Sequence, residues 1–500
     1  MEEKKEDPRE IRKKKLEEIR ARGIDPYPND FPVDLELKAF AARFSAPEFL
    51  KITDQELTGE VFSLAGRVIA IRKFGKAAFF HLQDQEGKVQ GYIERERVPS
   101  LNWEIFRGLD LGDLVGIKGR PFRTRTGELS IRVDELKLLA KSLRPLPEKW
   151  HGLKEVEIRY RQRYLDLIAN PKVREIFRRR SEVLNRIRGF LTERGFLEVE
   201  TPILQPKAGG AAAEPFQTYH QALGQKLFLR IAPELYLKRL VVGGIERVFE
   251  LGRNFRNEGI STRHNPEFTM LEFYQAYATY RDLMVLLEDL FSGLAQEICG
   301  GKKIVYQGNE IDFTPPFRKY TFAQAIREIG QAGESDLASP ETIRAFLKTR
   351  GVETDPKLSR PELEQDILEK LVEDKFIQPT FIYDYPVEVS PLARRKPDNP
   401  ALVERFELFI GGFEVSNAFS ELNDPEDQRE RFQAQARAWG GEVDEDYLLA
   451  LEHGMPPTAG CGIGIDRLLM ILSDSPSIRE VILFPLLKPL DSKTAPEGAE

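Results

Sequence analysis

The sequence predicts an α+β protein in which an N-terminal β-barrel precedes a larger body of antiparallel strands and helices. Between residues 60 and 145, five short strand-like runs are separated by turns that contain glycine. Further along, the alternating runs 245–252 and 268–277 enclose a polar loop, which is typical of two antiparallel strands joined by a long connection. The stretch 170–196 has apolar residues at helical spacing and predicts a long amphipathic helix.

Length and composition describe a globular chain of several domains. With 500 residues we expect two to four domains. Hydrophobic residues make up 41% and charged residues 31%, no apolar run approaches a membrane span, and the charged N-terminus lacks the apolar segment of a signal peptide. Two cysteines and five scattered histidines, without a CxxC pattern, argue against a disulfide framework or a structural zinc site. We therefore expect a cytoplasmic protein.

Changes of pattern along the chain predict the domain boundaries. Residues 1–59 form a helical leader, which we expect to be solvated and partly frayed, and residues 60–145 form the barrel. Residues 146–152 are marked by proline and glycine and form a linker. Residues 153–490 form the main domain, in which 317–378 is a helical, charged insertion to which no chemistry is assigned. Residues 491–500 form a disordered tail.

Five short strands in about ninety residues suit an OB-fold barrel, which binds oligonucleotides on one face. Between residues 60 and 150, 17 Lys and Arg stand against 12 Asp and Glu, although the whole chain has a net charge of −7. A basic module on an acidic body is compatible with a polyanionic partner. Phe79 and Gln90 lie on adjacent predicted strands, and Glu135 lies on the last one. An isolated phenylalanine such as Phe79 is more often part of a core than a platform for a base.

An unusual density of arginine marks the loop between the two long strands. Arg247, Arg253, Arg256 and Arg263 occur within seventeen residues. The guanidinium group is planar and permanently charged, and it binds carboxylate and phosphate oxygens through paired hydrogen bonds. A cluster of this kind without a recognised pattern would more often be solvated surface.

The pattern of three segments is recognisable. FRNEGISTRHNPEF, from Phe255, resembles the second signature motif of the class II aminoacyl-tRNA synthetases, and TAGCGIGIDRLLMIL, from Thr458, resembles the third. The long helix at 170–196 and the following strand up to Pro202 resemble the first motif, which in that family builds the dimer interface. The first motif alone could equally be an ordinary core helix and strand.

The resemblance implies roles for these residues in binding ATP and magnesium. Arg256 and Arg467 would be the catalytic arginines that hold the phosphates and the nucleotide. Glu407 and Glu414, on either side of Gly411–Gly412, resemble the pair that binds Mg²⁺; without the motifs, two exposed strand glutamates would be the better interpretation. The residues implied for ATP are Arg256, Glu258, Arg263, His264, Phe268 and Arg467.

Several glutamates beside these motifs predict the amino-acid substrate. Glu234, Glu272, Glu414 and Glu421 would converge on one site, where carboxylates repel one another and need cations to stay ionised. A pocket for aspartate would offer arginine instead, so the acidic lining favours lysine. The residues implied for lysine are Gly210, Glu234, Arg256, Glu272, Tyr274, Asn417, Phe419 and Glu421.

From about residue 60 to 487 the chain resembles the bacterial-type lysyl-tRNA synthetases of subclass IIb. IAPELYLKRL, VSPLARR, SELND and GIGIDR are specific as a set. The resemblance implies a homodimeric, ATP- and Mg²⁺-dependent ligase with no membrane partner. It would activate L-lysine as an adenylate and transfer it to tRNA(Lys). It also implies a class II antiparallel sheet of six or seven strands with helices, and Phe79, Gln90 and Glu135 as the residues that read the anticodon.

Three alternatives stay open at this point. A relative that transfers lysine to a protein or lipid would lack the barrel, which this chain has. A non-enzymatic RNA-binding protein would be expected to lose Arg256, Arg467 or a magnesium glutamate, and all of these are present. Aspartyl or asparaginyl activity is opposed by the acidic pocket.

Overall fold

The computed structural model describes residues 7–52, 55–146, 156–211, 213–439 and 443–489. The chain divides into two compact units, residues 1–156 with 164–170, and residues 157–163 with 171–500. The predicted linker (apart from residue 146) and the predicted tail lie outside the described residues. Within the described part of the chain, no helix is both long and apolar enough to cross a lipid bilayer.

Five strands of the first unit close into a barrel in the order β1-β2-β3-β5-β4, which confirms the predicted OB-like fold. Alternate side chains of each strand, such as Val68, Phe80 and Val133, fill its interior. The strands are β1 (Phe62–Phe74), β2 (Ala77–Gln83), β3 (Lys88–Glu94), β4 (Leu114–Arg123) and β5 (Leu129–Ala140). The helices are α1 (Pro8–Ala21), α2 (Leu37–Arg43), α3 (Pro47–Leu50) and α4 (Ser100–Arg107).

The expectation of a solvated leader was wrong for the described residues. Helix α1 begins after Asp7, whose carboxylate accepts a hydrogen bond from the Arg9 amide at 2.9 Å. Leu16 of the same helix is buried. The Arg12 guanidinium donates to the carbonyl oxygens of Ser142 and Arg144 at 3.0 and 2.9 Å. These contacts hold α1 against the end of the barrel, because the long arginine stem and its charge both find partners there.

The second unit is built on an eight-stranded sheet in the order β14-β15-β16-β17-β18-β11-β10-β6. The predicted count of six or seven strands was too low, and the pairs β14–β15 and β10–β6 are parallel while the other pairs are antiparallel. The strands of this unit are β6 (Leu197–Glu198), β7 (Leu204–Gln205), β8 (Gln217–His220), β9 (Gln225–Leu229), β10 (Arg247–Phe255), β11 (Glu267–Ala276), β12 (Lys303–Tyr306), β13 (Asn309–Asp312), β14 (Arg318–Thr321), β15 (Thr380–Pro386), β16 (Leu402–Ile410), β17 (Phe413–Ser420) and β18 (Thr458–Gly464).

Helices cover one face of this sheet. Along β16, Phe406 and Leu408 pack into the core with leucines of α9 and α15, whereas Arg405 and Glu407 point to the other face. The site therefore lies on the face opposite these helices. The helices that follow the barrel are α5 (Val156–Arg161), α6 (Arg163–Ala169), α7 (Pro171–Thr192), α8 (Glu234–Val242), α9 (Tyr280–Cys299), α10 (Phe322–Gln324), α11 (Pro340–Thr349), α12 (Arg360–Ile367), α13 (Pro425–Trp439), α14 (Glu445–Glu452), α15 (Ile465–Leu472) and α16 (Ile478–Val481).

The segment predicted as a helical insertion, 317–378, differs at its start. Residues 318–321 form β14, which pairs with β15 at the edge of the main sheet. The rest is helical: α10, α11 and α12, with π-helical turns at Ala325–Ile329 and Leu368–Val372. Its apolar side chains, including Phe346 and Leu363, form a second core together with side chains of β15 and β16 such as Ile382 and Val403. The short strand was missed because four residues are too few for a pattern of alternation.

Candidate active site

A cavity of about 690 Å³ opens on the uncovered face of the main sheet. The strand register brings its floor together from four strands: Glu407 pairs with Asn417, Asn417 with Gly462, and Gly462 with Glu272. Residues at paired positions project to the same face of a sheet, so these side chains surround the glycine. The next row along the strands consists of Arg405, Phe419, Gly460 and Tyr274.

Glycines of β18 keep this floor open. A Cβ atom at Gly460 would lie 2.2 Å from Glu421 Oε1 and 2.3 Å from the Tyr274 ring, which no side chain can do without displacing them. At Gly462 a Cβ would only touch Met270 and Glu272, at 3.7 and 3.8 Å, and would otherwise project into the cavity. The glycine run was predicted as part of the third motif, and its physical role is to let the acidic side chains and a ligand approach the backbone.

Basic side chains gather at one end of the cavity. The loop between β10 and β11, which was predicted, brings Arg256, Arg263 and His264 to the cavity, and α15 adds Arg467. The Arg256 guanidinium lies 5.1 Å from the centre of the Phe268 ring, and its buried Nε has no hydrogen-bond partner among the described residues. Three guanidinium groups facing one space make a site for an anion with several oxygens, such as a polyphosphate.

His264 connects the loop to α15. Its Nδ1 lies 3.0 Å from Ser261 Oγ and its Nε2 lies 2.9 Å from the Arg467 guanidinium. Burial and the positive charge of Arg467 lower the pKa of His264. The imidazole is therefore neutral at pH 7 and accepts the hydrogen bond that orients Arg467.

A pair of carboxylates lies beside this basic end. Glu407 and Glu414 both line the cavity, on the two strands that meet at the Gly411–Gly412 turn. Tyr385 donates to Glu407 at 2.7 Å and Arg405 donates to it at 2.5 Å. Burial, offset in part by Arg405, raises the pKa of Glu407 to about 7, and the negative charge of Glu414 contributes.

Helix α12 and the turn after it add further acids to the cavity wall, which the sequence had not indicated. Glu369 faces the carboxylate pair, and its pKa is raised by burial and by the neighbouring charges of Asp366 and Glu414. Glu373 lies 3.7 Å from Arg263. Within the described ranges, no group of three or more His, Cys, Asp and Glu side chains is arranged to hold a metal ion. A magnesium ion on Glu407 and Glu414 would thus need water and phosphate oxygens as its remaining ligands.

Carboxylates are buried at the opposite end. Glu234 opens α8, where Lys238 Nζ contacts its Oε1 at 2.6 Å and also contacts Glu421. Tyr274 donates to Glu272 at 3.2 Å. Burial, together with the negative charge of Glu234, raises the pKa of Glu272 to about 8. Lys238 supplies one positive charge to these three acids, so an uncharged ligand would leave them only partly neutralised, whereas a cation would stabilise their ionised forms.

The structure brings nearly all of the predicted site residues to one cavity. Glu421 is the exception: it is buried and does not line the cavity, although its Oε1 lies on the cavity side of Gly460, beside Tyr274. Gly210 has φ +89° and its missing side chain leaves room for Glu234 and Ala232. The predicted residues that line the cavity are Gly210, Glu234, Arg256, Glu258, Arg263, His264, Phe268, Glu272, Tyr274, Glu407, Glu414, Asn417, Phe419 and Arg467.

Three supporting residues were missed by the sequence reasoning. Arg405 is buried and donates both to Glu407 and to Asn417 Oδ1, the latter at 3.2 Å, which orients the Asn417 amide group towards the cavity. Tyr385 donates a hydrogen bond to Glu407. Lys238 neutralises part of the acidic end. Only Lys238 had a signal in the sequence, since it lies four residues after Glu234 on a predicted helix.

The barrel carries a separate polar and aromatic face. The Phe79 and Tyr92 rings pair across β2 and β3 with centres 4.7 Å apart, and Gln90 donates to Ser130 at 2.8 Å. Glu135 does not join this group: it lies five positions along β5 from Ser130, or about 17 Å, and pairs with Lys118. Glu135 is therefore too far along β5 to lie beside Gln90 and Ser130.

Two carboxylates lie near this face: Glu94, which accepts a hydrogen bond from the Tyr92 hydroxyl at 2.8 Å, and Glu128. Glu128 Oε1 is 3.3 Å from His81 Nε2, and His81 is the register partner of Gln90. The backbone carbonyl of Glu128 also accepts a hydrogen bond from Ser130, which in turn contacts Gln90. The sequence led to Glu135, on the last strand of the barrel, and not to Glu128, which lies in the turn before that strand.

The comparisons with known proteins agree with this architecture. Residues 155–488 match the family model of class II tRNA synthetases (D, K and N), and residues 62–139 match the OB-fold nucleic acid binding domain. The chain is thus a class II tRNA synthetase of the D, K and N group with an N-terminal OB-fold domain.

Curated relatives are similar over nearly the full length. The lysine--tRNA ligase of Moorella thermoacetica is 53% identical over 96% of this chain and 97% of the relative. The lysine--tRNA ligases of Syntrophomonas wolfei and Carboxydothermus hydrogenoformans are each 51% identical, over 97% and 96% of this chain and 98% of each relative. Within the class, the chain belongs to the lysine--tRNA ligase family.

Proposed function

We propose that this protein activates L-lysine with ATP to form lysyl-adenylate and then transfers the lysyl group to the 3′ end of tRNA(Lys). The observation that supports this most directly is a single cavity with guanidinium groups at one end and buried carboxylates at the other. ATP offers the phosphates that the first end fits, and lysine offers the ammonium groups that the second end needs.

The chemistry needs no nucleophile from the protein. A carboxylate oxygen of lysine attacks the α-phosphorus, and the bond to the bridging oxygen breaks as pyrophosphate leaves. The protein holds the reactants in line and stabilises charge that spreads over the phosphate oxygens. Arg256, Arg263 and Arg467 would do this, while Phe268 would stack on the adenine and Glu258 and His264 would complete the ATP site.

Glu407 and Glu414 fit a magnesium site, because two oxygen ligands from one hairpin face the end of the cavity assigned to the phosphates. When bound, Mg²⁺ supplies positive charge to the phosphate oxygens. Arg405 and Tyr385 donate to Glu407 and fix its position.

The acidic end would bind lysine through both of its amino groups. Glu234 and the Gly210 carbonyl would accept hydrogen bonds from the α-ammonium. Glu272, Tyr274 and Glu421 would surround the side-chain ammonium, with Phe419 against the aliphatic stem. The Asn417 amide, which Arg405 orients, would join Arg256 in holding the substrate carboxylate.

The barrel would read the anticodon of the tRNA, and the protein would act in the cytoplasm as a translation enzyme. Phe79 provides an aromatic platform and Gln90 an amide for a base edge. Glu128 would replace Glu135 as the carboxylate of this set, because it lies beside His81 and the Gln90 row.

The first-motif region supports the proposed homodimer. The short strands β6 to β9 and their connections expose apolar side chains that a second copy could cover: Leu197, Ile203, Leu204, Tyr219 and Leu223 are each between 44% and 69% exposed. Sedimentation at micromolar concentration would separate a dimer from a monomer.

The proposed activity is tested by ATP–pyrophosphate exchange with each of the twenty amino acids in turn, without tRNA. We expect exchange with lysine alone. Exchange with aspartate or asparagine would keep the class and overturn the assignment of the acidic end, and no exchange with any amino acid would favour a non-catalytic RNA-binding protein.

Arg256→Ala should lower lysine-dependent exchange by about 10²–10³-fold, the cost of removing one donor to a developing oxyanion, while the fold is retained. Arg253→Ala is a matched control, since Arg253 lies on the adjoining strand, contacts Glu267 and does not line the cavity. Exchange within tenfold of wild type in the Arg256 variant would refute the role of this arginine.

The barrel assignment is tested by tRNA binding. Phe79→Ala should weaken binding of tRNA(Lys) by about 1–3 kcal/mol, the usual value of a stacked base. Glu128→Gln should weaken it as well, whereas Glu135→Gln should not. Exchange without tRNA should be unchanged in all three variants, and equal effects of the two glutamates would contradict the assignment of Glu128, in place of Glu135, to the tRNA-binding face.

A further inference from the structure

Lys238 occupies an unusual position at the acidic end of the cavity. Its side chain is completely buried, its Nζ contacts both Glu234 and Glu421, and it lies 5.3 Å from the centre of the Phe419 ring. Burial opposes its charge, but Glu234 and Glu421 outweigh that effect and raise the pKa of Lys238. The side chain is therefore a permanent internal cation that no ligand can reach.

One internal cation does not balance the carboxylates around it. With a cationic substrate bound, which favours ionised carboxylates, Glu234, Glu272 and Glu421 would carry three negative charges, and Lys238 would reduce the total to two. Glu272 receives a hydrogen bond from the neutral Tyr274 hydroxyl. Both oxygens of Glu421 are buried and, among the described residues, accept no hydrogen bond of good geometry even though Lys238 adjoins them. Nearby Arg230 is already paired with Glu250.

Free lysine carries two ammonium groups and one carboxylate. If Arg256 and Asn417 take the carboxylate, the two ammonium groups match the remaining charge of −2. We propose that Lys238 is a specificity-determining positioning residue that sets the charge of the acidic end to suit a substrate with two ammonium groups. The inference rests on the proposed function and adds to it a residue that acts through Glu234 and Glu421 without touching the substrate.

The charge count leads to a test that a purely structural role would fail. Lys238→Met leaves a charge of −3, Glu421→Gln leaves −1, and the double variant returns to −2. We expect each single variant to raise the KM for lysine by about tenfold or more, with the KM for ATP little changed. The double variant should bind lysine more tightly than Glu421→Gln alone, although it has lost one more buried contact.

The double variant also guards against misfolding. Lys238→Met leaves Glu234 and Glu421 buried without their shared cation. The double variant also removes the charge of Glu421 and leaves only Glu234 without its partner, so it should lose less stability than Lys238→Met alone. Lys141→Met in the barrel is a matched control: Lys141 is equally buried between two carboxylates but lies outside the cavity. It should leave the KM values for lysine and for ATP unchanged.

The outcomes separate this inference from the proposed function. Absence of lysine-dependent exchange in the wild-type protein would overturn the proposed function itself. Wild-type exchange together with a double variant whose lysine KM is the product of the two single effects would overturn only the role of Lys238. A double variant with a lysine KM below that of Glu421→Gln would support it.

Discussion

Two lysines of this molecule are buried between a pair of carboxylates, and they differ in how completely their partners are satisfied. In the barrel, Lys141 contacts Asp110 at 2.5 Å and Asp113 at 2.8 Å. Asp113 also accepts hydrogen bonds at 2.8 Å from the backbone amides of Ser142 and Asp110. At the acidic end of the cavity, Lys238 has two carboxylate partners as well, but Glu421 lacks such backbone donors among the described residues.

The difference distinguishes a structural ion cluster from one that belongs to a site. Buried polar groups normally find all their partners within the protein. The barrel cluster does so and joins α1 to the loop before β4 through Lys15, which contacts Asp110 at 2.6 Å. The cluster around Lys238 includes Glu234, which lines the cavity together with Glu272, so this cluster reaches a space that a ligand can occupy.

The largest effect is expected when Lys141, the cation of the barrel cluster, is removed. Lys141→Met should lower the free energy of unfolding of the barrel by about 3–5 kcal/mol, because Asp113 would remain buried without a counter-charge; Asp110 would keep Lys15 as its partner. Urea unfolding, monitored by the fluorescence of Trp103 in the barrel core, would measure this loss of stability. An unchanged unfolding midpoint would show that the barrel cluster is not structural.

A second change acts on the cavity cluster through the backbone. Gly460→Ala places a methyl group 2.2 Å from Glu421 Oε1, so we expect a loss of about 1–3 kcal/mol in stability from overpacking, together with weaker lysine binding. Gly462→Ala has room in the free protein and should keep its stability but lose exchange activity, because the methyl group occupies ligand space. Equal melting temperatures for the two variants would contradict this placement of Glu421.

These two clusters also show what the sequence could and could not predict. Arg256 and Arg467 lie in continuous motifs, so their convergence followed from local patterns. Arg405 was not predicted, since its contacts with Glu407 on its own strand and with Asn417 depend on the register of two strands, β16 and β17. Glu135 was predicted as part of the anticodon set because the sequence does not give the register of β5. The turns fix that register, and it determines which residues of neighbouring strands lie side by side.

The same limit explains the errors in the fold. The predicted strands were confirmed where the apolar runs are long, as in the barrel and in the antiparallel pair β10–β11. It failed for the edge strand β14, where only four residues pair. The acids of α12 were overlooked because charged residues on a helix usually face solvent, and only the packing of that helix over the sheet brings Glu369 to the cavity.

The smallest expected effect concerns the dependence of stability on pH. In the free protein, burial and the charge of Glu234 raise the pKa of Glu272 from 4.5 to about 8. The folded state therefore holds this proton more tightly than the unfolded state. The stability that Glu272 contributes is fully present below its unfolded pKa, and it declines as the pH rises through about 8.

Glu272→Gln mimics the protonated side chain and should remove this decline. At pH 5 the variant and the wild-type protein should unfold at similar urea concentrations, and at pH 8.5 the variant should be the more stable of the two. Added lysine should reverse the order at pH 8.5, because the substrate ammonium stabilises the ionised carboxylate of the wild-type protein only. A difference in urea midpoint between the two proteins that stays constant from pH 5 to 8.5 would mean that the carboxylate of Glu272 is as well paired as those of the aspartates around Lys141. That result would contradict the proposed difference between the two clusters.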